Sequence, residues 1–194
     1  VQDRCYGMFT DEQRALLATG IIKAEGNMTS GDAHLAVNFA LLLEKGLDGL
    51  RQKVDERLSR IDLTRLDDLH GRQFLKAIDI TLAAVSEHIA RYASLARTMA
   101  SEETRQARRD ELLTIAENCD LIAHKPPKTF WQALQLCYFI QLLLQVESNG
   151  HSVSFGRMDQ YLYPWYRRDV ELAASVAREQ AIELLQSCWL KLLE

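Results

Sequence analysis

Apolar residues recur every three or four positions along most of this chain. Such spacing places them on one face of a helix, and it predicts helices over about 10–25, 32–45, 47–59, 69–100, 101–123, 129–147 and 171–194. The longest of these, from Leu69 to Ala100, contains no proline and has Gly71 as its only glycine. The pattern therefore predicts a mainly α-helical chain built around one long amphipathic helix.

Residues with local hydrogen-bonding or turn-forming roles mark the ends of several predicted helices. Thr10 and Gln13 have the spacing of a capping box, in which each side chain accepts a hydrogen bond from the other residue's backbone N–H. Gly46 follows a predicted helix in the position where glycine commonly ends one. Ser101 and Thr129 are predicted N-caps. These signals predict a chain that is cut into separate helices by its local sequence.

The most apolar stretch extends from Ala133 to Val146 and is interrupted by Gln135, Gln141 and Gln145. A membrane-spanning helix requires roughly 20 apolar residues, so this stretch is too short and too polar to cross a bilayer. A helix that is apolar on most faces has to be covered by other structure. We therefore predict a buried helix in a large core.

Polar and aromatic side chains are concentrated in residues 147–166, directly after this helix. Because buried polar groups need partners, two interpretations stay open. The segment is either a binding site or a self-satisfied network in which Arg157 pairs with Asp159 or Glu147. Residues 153–156 are apolar but too few to assign by period, so they predict at most a short strand.

Composition and charge exclude several classes of function. The 194 residues carry 23 basic and 27 acidic side chains, a net charge of −4, whereas a nucleic-acid-binding face needs clustered basic residues. The densest basic group, Arg105, Arg108 and Arg109, is followed by acidic residues, which predicts a solvated helix face. The glycines of the loop 25–34 lack the phosphate-binding pattern of a P-loop. With no linker or repeat visible, we expect residues 1–194 to form one domain or part of one.

The cysteines and three of the histidines predict neither a metal site nor a disulfide framework. The chain has four cysteines far apart in sequence, Cys5, Cys119, Cys137 and Cys188. This arrangement is typical of reduced, mostly buried thiols in a cytosolic protein. We predict structural roles for His70, His88 and His124. The chain begins at Val1 and shows no signal peptide, so we expect a cytoplasmic protein whose native N-terminus lies elsewhere.

Three ordered motifs carry a resemblance to a known family. The most specific is Glu147-Ser-Asn-Gly-His-Ser-Val-Ser-Phe-Gly-Arg-Met-Asp-Gln-Tyr-Leu-Tyr-Pro164. It is preceded by Pro127-Lys-Thr-Phe-Trp-Gln-Ala-Leu-Gln135 and, earlier, by Gly31-Asp-Ala-His-Leu-Ala-Val-Asn-Phe39 with Leu43-Glu-Lys-Gly-Leu47. Together they resemble the pyruvate formate-lyase family of glycyl radical enzymes. They are most similar to its diol-dehydratase-like and formate-acetyltransferase-like members.

The resemblance implies a fold and a place within it. Family members contain a barrel of two antiparallel half-barrels of parallel strands, wrapped by helices, and are several times longer than this chain. This sequence corresponds to the helical N-terminal portion of that α/β barrel, with residues 1–194 forming part of a single domain. At most short strands are expected around 151–156, where the signature segment enters the barrel. Most partners of the apolar helix are then expected to lie outside this chain.

The resemblance also implies a radical mechanism. Such enzymes store a radical on a backbone glycine, made by a separate activating enzyme with an iron–sulfur cluster and S-adenosylmethionine. The radical passes to a cysteine, whose thiyl takes a hydrogen atom from the substrate. None of the four cysteines lies in the family's Gly-Cys-x-Glu loop or Cys-Cys pair. We therefore expect no catalytic residue and no bound cofactor here, the radical residues lying beyond Glu194 or being lost, and no activity of the chain alone.

Three residues match positions that contact substrate hydroxyls in the dehydratase branch: His34, His151 and Ser152. Hydrogen bonds to a hydroxyl assist its elimination, and histidine can act as an acid or a base near neutral pH. Arg157 and Asp159 are expected to hold the barrel entry through an ion pair.

These matches imply part of a glycyl radical lyase or dehydratase that abstracts hydrogen from a small hydroxylated substrate. The alternatives are a fragment of a formate C-acetyltransferase, or a truncated, non-catalytic helical module. The implied partners are the radical S-adenosylmethionine activating enzyme and the small substrate, with a homodimer left open. Neither nucleic acid nor a membrane is expected.

Overall fold

The computed structural model describes residues 7–21, 35–148 and 153–192, and helices make up most of them. In chain order the elements are α1 (Asp11–Ala18), β1 (Leu35–Ala36), α2 (Phe39–Leu58), α3 (Leu66–Glu102), α4 (Gln106–Ile122), α5 (Phe130–Ser148), β2 (Val153–Ser154), α6 (Met158–Tyr161), α7 (Tyr163–Tyr166), a π-helix (Arg167–Leu172) and α8 (Arg178–Lys191). Strand structure in this described part is confined to β1 and β2. The prediction of a mainly α-helical chain with a short strand near 153–156 is confirmed.

The chain divides into two compact units. The smaller unit comprises residues 1–37 and 141–156, and the larger comprises 38–140 and 157–194. The larger unit therefore contains α2 to α4, most of α5, and α6 to α8. The smaller unit contains α1, both strands and the last turns of α5.

The core of the larger unit forms where α3 packs along α4 and α2 packs on α3. Buried residues of α3 recur every three or four positions: Ser86, Ile89, Ala93, Ala96 and Ala100. An ion pair between Arg97 of α3 and Asp120 of α4 links the two packed helices. The predicted long amphipathic helix is thus confirmed, and it extends beyond both predicted ends.

The predicted capping box opens α1. Thr10 Oγ1 accepts a hydrogen bond from Gln13 N at 3.2 Å, and Gln13 Oε1 accepts one from Thr10 N at 2.9 Å. The predicted end of this helix near residue 25 was wrong, because α1 stops at Ala18. Gly20 follows with a positive φ of 70°, a conformation that glycine adopts readily at helix ends.

The start of α2 was predicted too early, and its interruption was predicted correctly. The chain first forms β1, and Asn38 then caps α2 by accepting a hydrogen bond from Leu41 N at 3.1 Å. Gly46 breaks the helix as predicted, with φ 66° and ψ 176°. A Cβ at Gly46 would lie 2.6 Å from the carbonyl carbon of Lys125. Both the backbone angle and the close approach therefore require glycine.

The predicted helix start at Ser101 was wrong. α3 continues through it to Glu102, and Ser101 Oγ donates to Thr98 O at 2.7 Å. Glu103 stabilises the break instead, because its carboxylate accepts a hydrogen bond from Arg105 N at 2.9 Å. Arg105 also forms an ion pair with Glu103, in agreement with a solvated charged face.

The helix α8 begins at Arg178, later than predicted. The π-helix precedes it, and the backbone carbonyl of Asp169 accepts hydrogen bonds from Ser175 N and Val176 N. The resulting turn contains Ala174 at a positive φ of 48°. The predicted helix from residue 171 is therefore interrupted by a turn. The turn is held by hydrogen bonds to Asp169 O, which lies six or seven residues earlier in the chain.

The apolar helix α5 is buried as predicted. Thr129 caps it, with Oγ1 accepting a hydrogen bond from Gln132 N at 3.2 Å. Its side chains are buried or half-buried from Phe130 to Gln145, whereas Val146 is 74% exposed. This chain itself covers most of the helix, more than the resemblance implied. Across the three described ranges, no helix combines the length and hydropathy needed to span a membrane.

The described cysteines behave as buried, reduced thiols. Cys119, Cys137 and Cys188 are free and buried, and Cys5 lies outside the described residues. Burial raises the pKa of the Cys119 thiol to about 11 and also raises the pKa of Cys137. The reactive thiolate form is therefore disfavoured at both positions.

Candidate functional site

The three predicted substrate-contact residues, His34, His151 and Ser152, lie outside the described residues. The structure does describe the residues that directly follow them. Leu35 comes next after His34, Val153 comes next after Ser152, and these two residues pair in the parallel ladder of β1 and β2. The ladder therefore joins the two chain segments that carry the predicted residues, although they are far apart in sequence.

The ladder is short but its sequence suits a strand. Val153 and Phe155 are buried and Ser154 is exposed, the alternation expected of a strand with one covered face. Ala36 pairs with Ser154. Gly156 then takes a positive φ of 67°, which ends the strand conformation.

Gln141 in the last turns of α5 connects the helix to β2. Its side chain is buried, and Nε2 donates to Val153 O at 2.8 Å. The other amide atom, Oε1, is buried without a hydrogen-bond partner among the described residues. The sequence showed Gln141 only as an interruption of an apolar run. One feature of the sequence could have identified Gln141: a polar side chain within a buried apolar run needs a hydrogen-bond partner.

Asp169 forms a second buried polar centre, in the larger unit. Its Oδ2 accepts a hydrogen bond from Phe130 N at 2.7 Å, and its Oδ1 accepts one from Arg168 Nε at 2.6 Å. Arg168 also donates to Lys128 O. A carboxylate at the start of α5 is favoured by the helix dipole. Both carboxylate oxygens are thus used to hold the beginning of α5, which indicates a structural role that the sequence did not reveal.

The predicted ion pair between Arg157 and Asp159 was wrong. Both side chains are exposed and lie within the described residues, and no ion pair joins them there. Arg157 occupies the N-cap of α6 and Asp159 its first turn. Residues two positions apart on a helix do not face each other, which explains the missing contact.

The larger unit also carries an apolar groove of about 470 Å³. Its lining is mainly aromatic and aliphatic: Phe130, Met158, Asp159, Leu162, Tyr163, Tyr166, Leu185, Gln186 and Trp189. A small hydroxylated substrate needs several polar groups to fix its orientation. This groove offers few of them, so its chemistry does not match that of the predicted site.

Two of the described histidines, His88 and His124, contact residues that are distant in the sequence. His124 Nδ1 lies 3.2 Å from Asp48 Oδ1, and the His88 ring packs edge-on against Phe139 with centroids 6.3 Å apart. Within the described ranges, no cluster of three or more His, Cys, Asp or Glu residues is arranged to hold a metal ion. His88 Nε2 is buried without a hydrogen-bond partner among the described residues, and the structural roles of both residues stay predictions.

Comparison with known proteins extends the sequence resemblance over the whole chain. A family model described as pyruvate formate lyase-like matches residues 1–194. A solved structure concerned with 1,2-propanediol dehydration in Roseburia inulinivorans aligns with a TM-score of 0.86 at 36% identity, covering 96% of this chain and 22% of that one. The backbone of this chain therefore closely matches a segment of that solved structure.

Curated relatives agree with this assignment. The probable dehydratase YbiW of Escherichia coli (strain K12) is 81% identical over 194 residues, 100% of this chain and 24% of that protein. The (2S)-3-sulfopropanediol dehydratase of Klebsiella oxytoca is 43% identical over 165 residues, 84% of this chain and 20% of that protein. The chain thus spans about a quarter or less of the length of these relatives. It belongs to the pyruvate formate lyase-like family of glycyl radical enzymes.

Proposed function

We propose that this chain is part of a glycyl radical dehydratase that removes water from a small vicinal diol. The observation that carries the proposal is the parallel pairing of Leu35 with Val153. Consecutive Cα atoms are about 3.8 Å apart. The pairing of Leu35 with Val153 therefore supports the proposal that the preceding residues, His34 and Ser152, belong to one site. Two relatives described above are associated by name with diol dehydration.

The proposed roles follow from the chemistry of the side chains. His34, His151 and Ser152 bind the substrate hydroxyls by hydrogen bonds, and a histidine donates a proton to the departing hydroxyl. The glycyl radical, generated by a separate S-adenosylmethionine-dependent activating enzyme, supplies the hydrogen abstraction when present. This chain contributes binding and orientation, and we propose that residues 1–194 are part of a single domain.

The test uses the complete gene product that contains this chain. It is activated anaerobically, its glycyl radical is quantified by electron paramagnetic resonance, and it is incubated with 1,2-propanediol or 3-sulfopropanediol. We expect loss of water from the diol and formation of the corresponding aldehyde. A radical-bearing enzyme that forms no aldehyde, but converts pyruvate and coenzyme A to acetyl-coenzyme A and formate, contradicts the proposal and supports the acetyltransferase alternative.

A further inference from the structure

We propose that Gln141 is a positioning residue of this hydroxyl-binding site, an inference that rests on the proposed function. Gln141 Nε2 donates to Val153 O at 2.8 Å, and Val153 directly follows Ser152 in the chain. The peptide group is planar and its Cα–Cα step is fixed. Holding the Val153 carbonyl therefore restricts the placement of the predicted His151–Ser152 pair.

The hydrogen bond is made from a rigid element to a weakly held one. Gln141 lies within α5 and is 3% exposed, so its side chain has little freedom. The described ladder has only two residue pairs, which is too little pairing to fix a strand by itself. Functional groups have to be held to within about 0.5 Å. The bond from the helix supplies order that the ladder lacks.

The other atom of the same amide, Oε1, makes no hydrogen bond among the described residues. This oxygen is buried, so the arrangement is unfavourable. Gln132, earlier in the same helix, shows the structural alternative, because its amide donates to Asn118 Oδ1 and accepts from Lys128 N. Gln135 Oε1 is unpaired in the same way, so the hydrogen bond to Val153 O is the feature that distinguishes Gln141 from Gln135.

The test compares Gln141→Leu with Gln135→Leu in the complete, activated enzyme. Gln135 is a matched control, because it lies on the same helix and also has a buried Oε1 without a partner among the described residues. Its Nε2 contacts Cys119 Sγ at 3.4 Å rather than the ladder. We expect Gln141→Leu to lower kcat/KM for the diol at least about tenfold at unchanged radical content, and Gln135→Leu to stay within about twofold of wild type. Equal kcat/KM in the two variants overturns the inference.

Hydrogen exchange gives a readout that does not depend on turnover. The amides of residues 153–156 should exchange at least about tenfold faster in Gln141→Leu than in wild type, and unchanged exchange overturns the inference. If Gln141→Leu does not fold, Gln141→Met takes its place under the same criteria, because methionine fills irregular space more easily. A radical-bearing wild-type enzyme that dehydrates no diol contradicts the proposed function alone. In that case, amide hydrogen exchange of residues 153–156 still tests whether Gln141 holds the strand in place.

Discussion

Asp169 in the larger unit and Gln141 in the smaller unit are both buried, but they use their hydrogen-bonding groups differently. In the larger unit, both carboxylate oxygens of Asp169 accept hydrogen bonds from within the unit. In the smaller unit, Gln141 uses its donor on Val153 O and leaves its acceptor unpaired among the described residues. A fully satisfied polar group indicates a role in the fold. A half-satisfied group does not by itself indicate a site, because Gln135 Oε1 in the larger unit is also buried without a partner among the described residues. Because Gln141 bonds to the residue that follows Ser152, substitution of Gln141 should change activity, whereas substitution of Asp169 should change stability.

The largest effect on stability is expected for Asp169→Ala. The substitution removes the acceptor for Phe130 N and the partner of Arg168, and loss of one member of a buried charged network is strongly destabilising. We expect the free energy of unfolding of the 194-residue chain to fall by about 3 kcal/mol, measured by urea denaturation. Asp159→Ala is the matched control, because that carboxylate is exposed; a change above about 0.5 kcal/mol there would weaken the comparison.

Gly46→Ala should destabilise the larger unit by a different mechanism. The new Cβ would lie 2.6 Å from the carbonyl carbon of Lys125, at a φ of +66°. We expect a loss of about 2 kcal/mol in the same urea experiment. The control is Gly71→Ala within α3, where a Cβ meets nothing within 4 Å and a gain of about 0.5 kcal/mol is expected. Equal effects of the two substitutions would contradict the structural account of Gly46.

Gln141→Leu should have a smaller effect on stability than either of these changes. It leaves Val153 O without its donor but also removes a buried acceptor that has no described partner. We expect these contributions to offset each other partly and the unfolding free energy to fall by about 1 kcal/mol. A loss as large as that of Asp169→Ala would show that Gln141 serves the fold in the same way, and the contrast between the two side chains would disappear.

The smallest expected effect is the pH dependence of Glu103. Hydrogen bonding from Arg105 lowers the pKa of this carboxyl from 4.5 to about 2. Because the folded-state pKa is depressed, the stabilisation is present above about pH 4.5 and is lost as the pH falls towards 2. Glu103→Gln should therefore flatten the fall in melting temperature over that window. An unchanged pH profile in the variant would show that the exposed pair contributes nothing.

The sequence allowed good prediction where structure depends on neighbouring residues. The Thr10–Gln13 capping box and the break at Gly46 both appear as predicted, since each uses groups within a few positions of the chain. The long helix α3 is also set by a local period. The family resemblance added the expectation that these helices belong to a larger α/β barrel, which hydrophobic periodicity cannot indicate.

The sequence-based predictions failed where a residue's hydrogen-bond partner lies far away in the sequence. The strand at Leu35–Ala36 exists because of Val153–Ser154, and a two-residue strand has no periodic signature of its own. Asp169 and Gln141 were overlooked for the same reason. Each bonds to a backbone group 39 or 12 residues away, a distance over which single-sequence patterns specify no contact.

The central claim is that the ladder supports a hydroxyl-binding site formed by His34, His151 and Ser152. The most direct measurement is kcat/KM for 1,2-propanediol in the activated enzyme, comparing His151→Ala and Ser152→Ala with Ser154→Ala at equal radical content. Ser154 is the control because it is exposed in the same strand. The account predicts a decrease of at least about tenfold in the first two variants, the loss of one hydrogen bond to the reacting group, and no change in the third. Wild-type kcat/KM in all three variants would contradict it.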